Sequence, residues 1–297
     1  MSKDHLFPSI WLADFRNKHE FDRRSSELAS LFGVLGGIDD NVLQSRHPFS
    51  IKAYCAVCSE VTSLNISWHY CGISDEGAVH PAWTETAVCE KCGLNSRMRA
   101  LVDFLKNKIC KLNDKRVYAA EQTTQSFKVF KRLFKDVVGS EYLGPDYKSG
   151  QKGMINRHFL VRHEDLSCLS FSEAEFDLVI TQDVFEHLAD YRKAFSEIAR
   201  VLASDGELVF TIPFFYDQEE TLVRAGIKED GSIEHYYPGE YHGNPVSSEG
   251  SLCFQNFGWD ILSVLKEEGF SESVASLYWG PWQGHLGIPF FVFCAVK

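Results

Sequence analysis

The sequence predicts an α/β fold: a doubly wound, mainly parallel sheet that ends in an antiparallel hairpin and is preceded by a small cysteine-rich module. Three observations carry this. From residue 116 onward, apolar strand-like runs alternate with amphipathic helical stretches, the pattern of a parallel sheet covered by helices on both faces. Two strand-like runs close the chain, near enough in sequence to pair as a hairpin. Two C-x-x-C pairs, Cys55/Cys58 and Cys89/Cys92, stand ahead of the alternating part.

Residues 1–50 form an N-terminal helical segment. Its helix is expected over 20–35, stopped by Gly36-Gly37, since glycine just past a helix end is a common stop signal. Residues 51–95 form the cysteine module. Two C-x-x-C knuckles can place Cys55, Cys58, Cys89 and Cys92 around one zinc ion. The other reading is two unrelated thiol pairs. Cys71, His69 and His80 lie between the knuckles as spare ligands. Residues 96–297 form the main domain. Ser96 is a plausible cap for a helix in which Met98, Leu101, Val102, Leu105, Ile109 and Leu112 follow the helical period. Strands are expected at 116–120, 137–142, 159–163, 176–181 and 207–212, with helices at 125–135 and 191–201. Residues 213–258 are a long insertion without regular structure, rich in His and Tyr, as lids and binding loops often are. A helix at 259–268 and strands at 272–278 and 290–296 complete the chain.

Composition limits the partners. The chain has 297 residues, 44% of them apolar, and a formal charge of −11. A net acidic surface repels phosphate backbones, so nucleic acid is disfavoured. The densest basic run, 128–135, reads as a solvated helix face. The N-terminus MSKDHLFPSIWLADF is charged and lacks an apolar core, unlike a secretory signal. No apolar run approaches the roughly 20 residues that a membrane-spanning helix needs. The expectation is a cytoplasmic protein, monomer or homodimer, with no membrane partner. Its nine cysteines then serve as thiols or metal ligands.

The first loop of the alternating domain raises a question of its own. RVYAAEQTTQSF, residues 116–127, reads as strand, turn and helix start, yet it holds no glycine where a nucleotide-binding loop is usually glycine-rich. Further on, FDLVITQDVFEHLADYRKAFSEIARVLASDGELVFTIPF, residues 176–214, resembles the fourth-strand to fifth-strand region of class I S-adenosylmethionine-dependent methyltransferases, a Rossmann-like family. The resemblance rests on Gln182-Asp183, Glu186-His187-Leu188, Arg200-Val201-Leu202, Asp205-Gly206 and Pro213, and extends from about residue 116 to the C-terminus. It implies S-adenosylmethionine as cofactor. The ribose acid falls on Glu141, 20 residues after Glu121, with Tyr142 beside it to stack on adenine. Asp165 accepts from the adenine amino group and Leu166 offers its N–H, while Gln182 and Asp183 line the floor under the methionine part. In the glycine-free loop, Glu121 faces the ammonium group and Thr123 or a helix N-terminal N–H meets the carboxylate, with Gln122 between them also at the cofactor.

The implied reaction is methyl transfer to a small-molecule acceptor, as in small-molecule biosynthesis, with a structural zinc site. O-methylation is favoured by the histidine-rich insertion, because a hydroxyl needs a base. The candidate bases are His242, His235 and His187, in that order, with Tyr236, Tyr237 and Tyr241 shaping the acceptor pocket. The alternatives are a zinc-ribbon RNA methyltransferase and a non-catalytic methyltransferase-fold scaffold or sensor.

Overall fold

The structure is a computed structural model and describes residues 11–73, 79–155, 159–244 and 247–297. It divides into two compact units. The larger takes residues 16–18, 111–275 and 293–297; the smaller takes the described part of 1–15, residues 19–110 and 276–292. Helix Ser96–Lys108 and residues 276–292 thus group with the cysteine module, not with the alternating domain.

In the larger unit the strands run in the order Asp136–Gly139, Arg116–Ala119, Phe176–Gln182, Leu202–Thr211, then residues 293–296 of the closing strand. The first four are parallel, with Leu178 beside Val117 and Ile180 beside Val209; the last is antiparallel, with Phe210 beside Phe293. Leu178, Val179 and Ile180 are all fully buried. A run buried on both faces shows no alternation, which is why FDLVITQ reads as continuous apolar sequence. Helix Gln125–Leu133 starts at Thr124, whose side chain accepts from Phe127 N–H, and buries Phe127, Val129 and Phe130. Helix Tyr191–Val201 starts at Asp190, which accepts from Lys193 N–H, and buries Ala194, Phe195, Ile198 and Ala199.

Several expectations are corrected here. The strand at 159–163 does not join the parallel ladder. Phe159–Arg162 pairs antiparallel with Lys152–Ile155, and among the described residues a parallel bridge between Glu141 and His163 follows it. The turn expected at Asp205-Gly206 is an irregularity inside the longer strand Leu202–Thr211, where Asp205 takes φ 60°. The insertion is not structureless. It holds three antiparallel pairs: Leu222–Val223 with Gln255–Asn256, Ala225–Ile227 with Ile233–His235, and Tyr241–Asn244 with Ser247–Leu252.

In the smaller unit, Phe49–Cys55, Glu60–Ile66 and Ala87–Cys89 form a three-stranded antiparallel sheet. Helix Ser25–Val42 passes through Gly36-Gly37 instead of stopping there. Anchors on both sides of the glycines explain it: Leu35 is buried before them, and Asp39 after them accepts from Gly287 N–H at 2.8 Å. Helix Ser96–Lys108 is capped by Asn95, which accepts from Met98 N–H at 2.9 Å. Ser96 is instead buried, 2.8 Å from His285 Nδ1. Arg99 is buried as well and donates to the carbonyls of Gln283, Ala87 and Gly284.

Candidate functional site

Glu141 follows the Asp136–Gly139 strand and is 8% exposed. Its Oε1 accepts from Gln122 N at 2.8 Å, Thr123 N at 2.7 Å and Thr123 Oγ1 at 2.7 Å. Two successive N–H groups of the first loop thus converge on one carboxylate oxygen. The loop reaches this path without glycine because the neighbouring strand supplies one. A Cβ on Gly139 would stand 2.5 Å from the Phe127 ring and 2.6 Å from the Glu121 carbonyl. The expectation that Thr123 meets a cofactor carboxylate changes accordingly, since both its donors are engaged by Glu141. Gln122 is tied in too, accepting from Arg162 N at 2.9 Å. Glu121 is buried and accepts from the Thr124 hydroxyl.

Tyr142 is half exposed and packs on His163, with ring centroids 5.3 Å apart; Tyr147 meets His163 at 5.6 Å. His163 Nδ1 accepts from Leu143 N at 2.9 Å, which requires that nitrogen to be unprotonated. Burial lowers the His163 pKa in the same sense. Asp165 Oδ1 accepts from Ser167 N and Ser167 Oγ at 2.8 and 2.7 Å, a local turn that fixes the carboxylate. Leu166 buries its side chain. Gln182, which ends the central strand, has a buried amide whose oxygen and nitrogen both lack a hydrogen-bond partner. Asp183 takes φ 50° and accepts from Thr211 Oγ1 at 3.2 Å. A buried amide with no bonds is costly unless something else completes it.

The insertion brings His187 and His242 together and leaves His235 exposed elsewhere. One ligand atom each from His187, His242 and Cys253 lie within 4.8 Å of one another. His242 Nε2 is 3.3 Å from Cys253 Sγ and 3.2 Å from Glu240 Oε1. Its Nδ1 is 3.8 Å from Glu186 Oε1. His187 Nδ1 is 2.9 Å from the Leu252 carbonyl, and its Nε2 is 3.6 Å from Glu186 Oε1. The neighbouring Cys253 and then the Glu186 carboxylate push His242 up to about 10. Burial works against ionisation of Cys253, but His187 and His242 outweigh it and hold the thiol below its ordinary value. Tyr236, Tyr237 and Tyr241 are exposed on the insertion; the N–H groups of Tyr236 and Tyr237 both donate to the Arg224 carbonyl. Glu186, Cys253, Arg224 and His163 were not singled out by sequence reasoning. Glu186 had a signal, beside His187 in the quoted segment; a lone Cys253 had none.

In the smaller unit all four cysteine sulfurs lie within 4.8 Å of one another. Cys55 and Cys92 are 3.8 Å apart, and Cys58 and Cys89 3.9 Å. A tetrahedral zinc site with Zn–S bonds of about 2.3 Å has sulfur–sulfur edges of about 3.8 Å, so the donor set fits the ion. Ser59 N bonds back to the Cys55 carbonyl, Gly93 N bonds back to the Cys89 carbonyl, and Gly93 takes φ 70°. These turns form the two knuckles. Burial, then repulsion from Cys55 and Cys89, pushes Cys58 up to about 12. Four thiolates cannot share this space without a cation. Cys71 is exposed.

Among the described residues no helix is long and apolar enough to cross a membrane. Residues 121–210 match the family described as "Methyltransferase domain". No curated protein matches the chain in sequence. Solved structures share its course at low identity. An S-adenosylmethionine-dependent methyltransferase from Mesorhizobium loti is 14% identical, covers 66% of this chain and 96% of its own, and has a TM-score of 0.42. The 1,6-didemethyltoxoflavin-N1-methyltransferase of Burkholderia thailandensis, solved with bound 1,6-didemethyltoxoflavin and S-adenosylhomocysteine, is 17% identical over 67% of this chain and 77% of its own, TM-score 0.39. A methyltransferase from Methanosarcina mazei is 14% identical over 62% and 93%, TM-score 0.35. With parallel strands ending at Gly139 and Gln182 and the match running from Glu121 to Phe210, residues 121–210 are similar to a methyltransferase domain.

Proposed function

We propose that the larger unit holds S-adenosylmethionine along the ends of its parallel strands and passes the methyl group to a small-molecule acceptor on the insertion side. The four cysteines of the smaller unit hold a structural zinc ion. The observation that carries the cofactor reading is Glu141, a buried acid with one oxygen anchored by the first loop. A carboxylate can accept two hydrogen bonds from a ribose diol. In this reading Gln122 and Thr123 position Glu141. Tyr142, Asp165 and Leu166 receive the adenine, Glu121 faces the ammonium group, and Gln182 and Asp183 receive the methionine part.

The bound cofactor supplies an electrophilic methyl group on sulfur. The chain's task is to align an acceptor lone pair behind that methyl and to exclude water. Both nitrogens of His187 and of His242 already face protein groups. The reading therefore does not rest on a histidine base. That moves the favoured acceptor atom from a hydroxyl oxygen to a nitrogen whose own lone pair attacks.

Calorimetric titration of the full chain with S-adenosylmethionine and S-adenosylhomocysteine tests the reading. Micromolar binding of both, lost in Glu141→Ala, supports it; heat-silent titrations with both ligands sink it.

A further inference from the structure

A second cluster of metal-type donors lies in the larger unit, far in sequence from the knuckles. Its parts come from two places. Glu186 and His187 lie in the turn after the central strand Phe176–Gln182. His242 and Cys253 come from the insertion, on and just after the pair Tyr241–Asn244 with Ser247–Leu252. The insertion is seated on that turn by backbone and side-chain bonds. Phe254 N donates to the Glu186 carbonyl at 2.7 Å, and Gln255 Nε2 donates to the carbonyls of Phe185 and Leu188 at 2.6 and 2.9 Å.

Glu186 gives the cluster its meaning. The residue is 1% exposed, and neither carboxylate oxygen has a hydrogen bond. An ionised carboxylate buried without compensation is strongly unfavourable. Its Oε1 faces both imidazoles, 3.6 Å from His187 Nε2 and 3.8 Å from His242 Nδ1. Tetrahedral ligands around a zinc-sized ion stand about 3.3–3.8 Å apart, given bonds of about 2.0–2.3 Å. The spacing of 3.3 Å between His242 Nε2 and Cys253 Sγ lies in that range, and His187 Nδ1 stands 4.0 Å from the same sulfur. Glu186 faces the other nitrogen of each ring, the usual place of the outer carboxylate partner of a metal-bound imidazole, and the Leu252 carbonyl, 2.9 Å from His187 Nδ1, holds that ring in the ion-free chain.

We infer that His187, His242 and Cys253 form a second metal site, for a zinc-class divalent ion, with Glu186 as the buried carboxylate behind both imidazoles, and that this site fastens the insertion to the end of the central strand. One thiolate and one carboxylate balance the dication, so the buried site is neutral. On binding, the thiol proton and any imidazolium protons leave to solvent, and no redox change occurs. The site is distinct from the four-cysteine knuckle and does not depend on the acceptor or on methyl transfer.

The test is metal counting on the full chain. Protein equilibrated with Zn2+ and freed of loose ion by gel filtration is assayed for zinc and protein. Cys253→Ala and His242→Ala should each hold one ion fewer per chain than the unaltered protein, while Cys58→Ser loses a different one. Equal zinc in the unaltered protein and in both insertion variants overturns the inference. If an insertion variant loses all its metal through misfolding, Co2+ loading of the unaltered protein decides instead. A one-thiolate tetrahedral spectrum that persists in Cys58→Ser supports the site, and a spectrum without it overturns the site.

Discussion

Thr123 donates to Glu141 twice, through its backbone N–H and its hydroxyl, and both bonds end on the same oxygen at 2.7 Å. The acid is therefore set before any ligand arrives. Glu141→Gln should weaken S-adenosylmethionine binding roughly ten- to a hundredfold, since a hydrogen bond to a charged group is worth about 1.5–3 kcal/mol. Thr123→Val removes one of three anchors and should cost several-fold. Calorimetric affinities check both; an unchanged value for Glu141→Gln would remove this residue from the ribose site.

The buried amide of Gln182 lacks partners in the ligand-free chain. Gln182→Leu should therefore leave the melting temperature level or raise it, while cofactor affinity falls about tenfold, because removing an unmade bond relieves a penalty that the ligand otherwise relieves. A melting temperature that drops together with affinity would mark Gln182 as a packing residue instead.

The parallel core was readable because local signals agreed with the fold. FDLVITQ is apolar without a break, and Thr124 and Asp190 each mark a helix start. Gly36-Gly37 misled, because a stop signal is only local and Asp39 is anchored to Gly287 from far along the chain. Asn95 rather than Ser96 caps its helix because Ser96 is drawn into the core by His285. The path of the first loop was not legible for a related reason. The glycine that relieves its crowding is Gly139, on another strand, and no inspection of AAEQTT points to it. The histidine cluster joins residues 55 and 11 positions apart through strand pairing, a distance at which spacing carries no message.

Burial pushes Asp39 up to about 7, with Asp40 adding to the rise and the Gly287 N–H opposing it. An unfolded Asp titrates near about 3.9. Between those values the folded chain holds more protons than the unfolded one. Its stability from this group is greatest below about pH 4 and declines as pH rises towards 7, then levels off. Asp39→Asn should flatten that decline. Melting temperatures measured at about pH 5 and about pH 7.5 compare the two chains; equal slopes would assign the effect to other groups.

Chelation of the knuckle ion should loosen the smaller unit as a whole. Cys55 and Cys89 are fully buried, and Arg99 lies near all four sulfurs with its charge disfavoured by burial and favoured by the thiolates. A strong chelator at neutral pH should release zinc and lower the melting temperature together, and added zinc should restore it. Zinc loss with an unchanged melting curve would make the ion incidental to the fold.

The burial of Arg99 also sets an order of events during synthesis. Its carbonyl acceptors at Gln283 and Gly284 lie 184 and 185 positions later in the chain, and the Ser96 partner His285 lies 189 later. A ribosome that has made the knuckles and their helix has therefore not yet made the groups that let that helix bury its charge. The part of the smaller unit that emerges first lacks these partners while residues 111–275 of the larger unit are translated. Slow stretches of translation, or a chaperone that shields apolar surface, would act on that interval more than on any other.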